Sequence, residues 1–370
     1  MKLITTISLA CLALFSIGQQ TNQSMDVGGV NRTYVQYLPS GFDPLTESLP
    51  VVFCLHGIGD IATNMANIGF NQIADTARFI AIYPQGAQNG QGQNSWANGT
   101  LFLSSSADDI TFFNQMIDDL IINQNADPAR IYASGFSMGS IMSHKLACEL
   151  NERIAAIGTM SGTMSTQDLN NCSPSYATPI IHFHGTADAT VPYDGAALPS
   201  LSLVEPTIDF WRGVHGCAST ADSTQIPDVA SDGYTVDRFI YQNCTPANSV
   251  ELWRINGGDH EYFYQPFNDF TEAIEIWRFF SQWTHSNPAL VNLDKFNLTS
   301  FSVYPNPSNG NITVSSPVKT TIAIHSINGR LMQTIEVGNG FTSIALGLSE
   351  GVYILLSEDF PQYSERVVIQ

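Results

Sequence analysis

Residues 130–150, RIYASGFSMGSIMSHKLACEL, constrain what this chain can fold into more than any other stretch. Residues 130–134 alternate as a short buried strand does, and Ile141, Met142, Leu146 and Ala147 recur with helical spacing over residues 140–150. Between them lies Gly135-Phe136-Ser137-Met138-Gly139. A strand-to-helix turn this tight leaves no room for side chains two residues either side of the serine, which accounts for Gly135 and Gly139. It would lift the Ser137 hydroxyl above the sheet edge, where the free N–H groups of the new helix face developing negative charge. The Met138 N–H is the first of these. An idle serine in a glycine-rich turn would need neither flanking element.

The segments before this turn read as strands and helices in alternation. Residues 19–31 are polar and expected to be loose, and residues 32–38 alternate as an edge strand. Residues 49–55, LPVVFCL, form a continuous apolar run, the sign of a strand buried on both faces. The run ends in His56-Gly57-Ile58-Gly59, a loop positioned to offer the Ile58 N–H as a second oxyanion donor. A helix over 68–77 and a strand over 79–83 follow. Residues 85–105 are a long Gly/Asn/Gln-rich loop around Trp96, which is either a substrate platform or a buried anchor. His56, Trp96 and Tyr262 are the expected substrate-binding side chains. Asp108 and Asp109 precede a helix over 110–123 and read as its N-cap and dipole partners, since adjacent residues face different ways.

Beyond the turn, strands are expected over 154–160, 179–184, 234–241 and 250–255, with helices over 203–215 and 271–284. Residues 179–184, PIIHFH, lead into Gly185-Thr186-Ala187-Asp188. An acid just past a strand end is where a triad carboxylate belongs, and Asp188 follows its strand more directly than the competing Asp194. His182 and His184 read as packed core histidines. Of the eight histidines, His260 alone sits in a glycine-rich loop after a late strand, Gly257-Gly258-Asp259-His260. The order Ser137, Asp188, His260 is that of α/β-hydrolases. An imidazole can take the serine proton and return it to a leaving alcohol, with the carboxylate holding its tautomer. The fold class expected is therefore α/β, an α/β-hydrolase with a mostly parallel sheet and helices on both faces, plus a small C-terminal all-β sandwich.

The totals agree with an exported hydrolase. An apolar fraction of 44% with 13% charged residues supports a well-filled core, and a net charge of −19 argues against nucleic acid or an anionic membrane as partner. Lys2, the apolar run 3–15 and Ser16-Ile17-Gly18 form a secretory signal over residues 1–18, too short to span a membrane. Past it, Cys54 lies inside an apolar strand and is expected to stay free. Cys148 with Cys172 and Cys217 with Cys244 are the expected disulfides, each worth roughly 3–4 kcal/mol by chain entropy, although spacing alone leaves the connectivity open. No Cys/His spacing resembles a metal site, and neither metal nor cofactor is called for.

The stretches VVFCLHG, SADDITFFNQMIDDL, RIYASGFSMGS, LACEL, IHFHGTADATVPYDG and GGDHEYF follow one another as in secreted esterases of the poly(3-hydroxybutyrate) depolymerase / feruloyl esterase type. That group overlaps carbohydrate esterase family one. The resemblance spans about residues 26–285. It implies Ser137 as nucleophile, Asp188 as acid, His260 as base, an oxyanion loop after His56-Gly57, and the Cys217–Cys244 pair. Asp259, Glu261, Tyr262 and Phe263 replace the residues usual around the family's histidine, and Ser140 replaces a usual glycine. Feruloylated or acetylated polysaccharide, hydroxyalkanoate polyester and small aryl esters all remain open as substrates. A non-catalytic glycan binder or adhesin on the same fold is the reading from another class.

After a linker over 286–298, short alternating segments are separated by Asn309-Gly310, Asn328-Gly329 and Asn339-Gly340, the pattern of a sandwich of roughly seven strands. FSVYPNPSNGNITV, INGRLMQT and GVYIL resemble the C-terminal sorting domain of the type IX secretion system of Bacteroidetes, over about residues 299–370. The resemblance implies passage through the outer membrane, with the secretion machinery as partner. A monomer is expected.

Overall fold

The computed structural model describes residues 18–100, 103–288, 301–316, 319–338, 340–358 and 364–370. The expected signal segment and most of the linker lie outside them. The N-terminal part contains β1 (Gln19–Val27), β2 (Val30–Leu38), β3 (Val51–Leu55), α1 (Ala62–Met65), α2 (Phe70–Ala77) and β4 (Ile80–Pro84). A two-strand hairpin, β5 (Ala87–Gln88) and β6 (Asn94–Ser95), sits within the long loop before α3 (Asp109–Gln124). Then come β7 (Ile131–Phe136), α4 (Met138–Glu149), β8 (Ala156–Met160), α5 (Thr166–Asn171), β9 (Ile180–Gly185) and α6 (Val204–Val214). The unit closes with β10 (Ala221–Ile226), β11 (Thr235–Tyr241), β12 (Val250–Asn256) and α7 (Glu272–Phe280).

These strands form one ten-stranded sheet in the order β1-β2-β4-β3-β7-β8-β9-β12-β11-β10. The six central strands, β4 to β12, run parallel, and the pairs at both margins are antiparallel. Period-two alternation divides β3 between two cores. Val51, Phe53 and Leu55 pack with Phe112, Phe113 and Met116 on the α3 side. Val52 and Cys54 pack with Tyr132, Ile276 and Phe280 on the α7 side. Burial on both faces is why these strands read as unbroken apolar runs.

Two expectations are corrected at the margins. Residues 19–31 are not loose: residues 19–27 form β1, which pairs with β2 across a two-residue turn at Gly28-Gly29, both at positive φ (62° and 87°). Residues 32–38 therefore lie in a strand with neighbours on both sides, and β1 is the edge. An edge strand with one wet face needs few apolar residues, so β1 left no hydrophobic signature. The same reason hides β10, whose ADSTQI sequence is mostly exposed. Disulfides join Cys148 to Cys172 and Cys217 to Cys244, and Cys54 is a buried free thiol.

The C-terminal part holds β13 (Ser302–Tyr304), β14 (Asn311–Ser316), β15 (Thr320–Ser326), β16 (Leu331–Val337), β17 (Gly340–Ala345), β18 (Gly351–Ser357) and β19 (Ser364–Ile369). They make two antiparallel sheets, β13-β14-β17 and β16-β15-β18-β19. Ile312 and Val314 of one sheet meet Ile322, Ile324, Leu355 and Val367 of the other in a single apolar cluster.

Candidate active site

Ser137 stands between β7 and α4 at the C-terminal end of the parallel strands, with φ 53° and ψ −117°. A non-glycine residue held at such angles is strained, and the surroundings enforce it. Its N–H donates to Met160 O (2.8 Å) and its C=O accepts from Ile141 N (3.1 Å). A Cβ on Gly135 would lie 2.3 Å from the Gly139 carbonyl, and one on Gly139 would lie 2.2 Å from Leu55 O. Neither position can carry a side chain. Ser140, the departure from the usual glycine, uses its buried hydroxyl to donate to Gly162 O at 2.6 Å, tying α4 to the loop after β8.

Asp188, three residues past β9, is buried and meets the loop after β12. Its Oδ2 accepts from His260 Nδ1 at 2.7 Å, while Oδ1 accepts from the N–H groups of Thr190 (2.8 Å) and Val191 (2.7 Å). Burial alone would raise its pKa. Hydrogen bonds from His184, His260 and Val191 outweigh that and hold the carboxyl well below the usual carboxylate range. Asp194 is exposed. Asp259 accepts from His260 N (2.8 Å) and Ala189 N (3.4 Å), so it joins the acid loop to the base loop. Among the described residues no hydrogen bond joins Ser137 Oγ to His260. Phe136, the residue before the serine, packs its ring 4.9 Å from the imidazole and sets it beside the turn. Catalytic hydrogen bonds are often long without substrate and tighten in the complex.

The loop after β3 approaches from the other side; a Cβ on Gly57 would lie 3.5 Å from Ser137 Cβ. His56 is fully buried, and its Nε2 accepts from Gly86 N at 2.9 Å. The proton is therefore on Nδ1, which donates to Gly57 O at 2.7 Å. Gly57 C=O and Ile58 N–H belong to one trans peptide and point in opposite directions, so anchoring the carbonyl aims the N–H away from His56. Among the described residues neither Ile58 N–H nor Met138 N–H has a hydrogen-bond partner.

His56 and Trp96 are corrected as substrate-binding side chains. Trp96 is fully buried and donates from Nε1 to His56 O at 2.9 Å, so it is the anchor of its loop. Asp109 reinforces that loop, since it accepts from Ala97 N (2.7 Å) and pairs with buried Arg32 at 2.6 Å. Asp108 is the N-cap of α3, accepting from Thr111 N. Asp109 thus does more than complement the helix dipole, and its partner 77 residues away could not be read from local spacing. Trp96→Ala is expected to cost about 3–5 kcal/mol of stability in a urea titration. A raised KM with unchanged stability would instead restore the platform reading.

Tyr262 is partly exposed, stacks on Phe136 at 4.3 Å and points its hydroxyl at Met65 Sδ (2.9 Å). It lines a cavity of about 400 Å³ together with Ile68, Met160, Tyr264, Thr271 and Glu272. Glu272 is buried. Its carboxyl accepts from Phe263 N at 3.2 Å, and Oε1 has no partner. Burial pushes its pKa well above the usual value. Nothing in the helical pattern of 271–284 singles it out.

Residues 43–203 match the family described as Phospholipase/Carboxylesterase, and residues 302–370 match the Secretion system C-terminal sorting domain. The chain is 27% identical over 263 residues to a bifunctional acetylxylan esterase/xylanase of Neocallimastix patriciarum, covering 70% of this chain and 34% of that protein. It is 30% identical over 241 residues to feruloyl esterase B of Piromyces equi, covering 62% and 42%. The chain thus spans less than half the length of these two relatives. With poly(3-hydroxyalkanoate) depolymerase C of Paucimonas lemoignei it shares 22% over 284 residues, covering 69% and 64%. An acetyl xylan esterase from Aspergillus awamori superposes with a TM-score of 0.50 at 16% identity, covering 70% of this chain and 99% of that one, which bears on the fold alone. Sequence and architecture agree on an α/β-hydrolase fold whose residues 43–203 are similar to the phospholipase/carboxylesterase family, followed by a C-terminal segment similar to a sorting domain that indicates type IX secretion.

Proposed function

We propose that the chain is an exported serine esterase whose residues 26–285 hydrolyse a carboxylic ester and whose residues 299–370 direct its export. The observation that carries this is Ser137, held at a strained turn on the sheet edge beside the Asp188–His260 pair. Ser137 Oγ attacks the ester carbonyl while His260 Nε2 takes its proton. The N–H groups of Met138 and Ile58 receive the oxyanion, and His260 returns the proton to the departing alcohol. Water, deprotonated by His260, then releases the acid. Asp188 holds the imidazole with its free nitrogen toward the serine throughout. A fluorophosphonate probe should label the chain at Ser137. A folded chain that resists labelling would be a binding protein on a hydrolase fold.

The names of the relatives support feruloyl, acetyl and hydroxyalkanoate esters as candidates. Within that range we assign Tyr262 to the substrate side, because it walls a cavity next to the His260 loop. A buried carboxyl at its back with one oxygen unpartnered, Glu272, suits a ring that carries a hydroxyl better than an acetyl group. Glu272→Leu is expected to raise KM for methyl ferulate about five- to tenfold, the worth of one hydrogen bond, and to leave KM for an acetate ester unchanged. Equal KM values for methyl ferulate in both proteins would remove Glu272 from the subsite. Rates on methyl ferulate, acetylated xylan and hydroxybutyrate oligomers, measured side by side, decide the substrate class.

A further inference from the structure

Behind Asp188 lies a line of buried polar groups that the proposed reaction does not use. Thr159 Oγ1 is 2.8 Å from His182 Nδ1, and His182 Nε2 is 3.1 Å from His184 Nδ1. His184 Nε2 is 2.8 Å from Val191 O and 3.4 Å from Asp188 Oδ2, the same oxygen that receives His260. All three side chains of the line, Thr159, His182 and His184, are fully buried.

Hydrogen-bond chemistry gives this line a direction. A carbonyl and a carboxylate can only accept, so the proton of His184 sits on Nε2. With that one proton in place, Nδ1 of His184 is an acceptor, and His182 donates to it from Nε2. Burial lowers the pKa of His182, so that ring is neutral, and its Nδ1 accepts from the Thr159 hydroxyl. The protons thus all point toward Asp188: Thr159 to His182, His182 to His184, His184 to the carboxylate and to Val191 O. Thr159 Oγ1 has Ile181 O as a second acceptor at 3.3 Å, but neither imidazole can turn without stranding a buried donor, which costs about 1–3 kcal/mol.

We propose that His184 is a positioning residue for the triad, a second imidazole that holds Asp188 Oδ2 in line with His260 Nδ1. The proposal rests on the esterase reading above. Oδ1 is clamped by two backbone N–H groups, and His184 supplies the corresponding restraint on Oδ2. Held from both ends, the carboxylate presents one oxygen edge to His260 and keeps its base tautomer. His182 and Thr159 act one step further back, by fixing which nitrogen of His184 carries the proton.

The test compares His184→Leu, His184→Gln and Thr159→Val with the wild-type chain, on a chromogenic acetate ester. His184→Leu fills the space without a donor and is expected to lower kcat about 10- to 100-fold, with KM within twofold. His184→Gln, which can place an N–H near the lost Nε2, should recover most of kcat. The downfield proton resonance of the His260–Asp188 hydrogen bond should move in the Leu variant and return in the Gln variant. A folded His184→Leu protein with wild-type kcat and an unmoved resonance overturns the proposal, as does a Gln variant no better than Leu. Should His184→Leu fail to fold, Thr159→Val decides: a fall in kcat at constant KM supports the chain, and an unchanged kcat overturns it. A wild-type chain with no ester turnover would overturn the esterase reading itself, whereas an active wild type with indifferent variants overturns this proposal alone.

Discussion

Ser137→Ala is expected to lower turnover of a chromogenic acetate ester by about 10⁴-fold or more, with thermal stability and circular dichroism unchanged. The side chain makes no hydrogen bond among the described residues, so its loss leaves no buried group unpaired. The backbone at this position is held by Met160 O and Ile141 N, which alanine keeps. Only the nucleophile disappears. The residual rate would come from the oxyanion donors and binding. Unchanged turnover in a folded Ser137→Ala protein would mean that the ester bond is broken elsewhere, and the esterase reading would fall.

Asp188→Asn should cost nearly as much, again about 10⁴ in kcat, for a reason specific to this geometry. The N–H groups of Thr190 and Val191 both point at Oδ1, so the amide oxygen of an asparagine must take that place. Its NH₂ then replaces Oδ2 opposite His260 Nδ1 and meets the His184 N–H as well. His260 is driven to the tautomer with its proton on Nε2, which cannot accept one from Ser137. A kcat within tenfold of wild type would show that Asp188 is not the orienting acid, and Asp259 would be the group to test next.

The depressed pKa of Asp188 also carries a sign for stability. A carboxyl whose folded pKa lies below its unfolded value stabilises the fold above the ordinary carboxylate range. That contribution is lost as pH falls from the unfolded value, about 3.9, through the folded one. Urea midpoints of the wild type should therefore fall on acidification, and the Asp188→Asn protein should show less of that decline.

The legible parts of this protein were those where local chemistry is self-sufficient. The Gly-x-Ser-x-Gly turn, the apolar run 51–55 and the acid directly after β9 announce themselves, because the constraint and the residues that meet it lie within a few positions. Exposed margins were illegible: β1 and β10 bury too little apolar surface to leave a pattern, and only pairing with β2 and β11 reveals them. His56 was expected to touch substrate and is buried, and of the two readings of Trp96 the buried anchor is the one that holds. Both had the chemistry of a binding surface, and burial decides otherwise.

By itself, then, the amino-acid order determined the fold class, the export tag and the chemical types that the proposed ester hydrolysis would use. Periodicity, tight-turn chemistry and family resemblance all act along the chain. Only the tertiary structure decided which oxygen of Asp188 meets which imidazole, which peptide His56 aims, and that His184 and Glu272 border the site at all. Those choices rest on contacts between residues far apart in sequence, and a hydrogen bond has a direction that no spacing encodes.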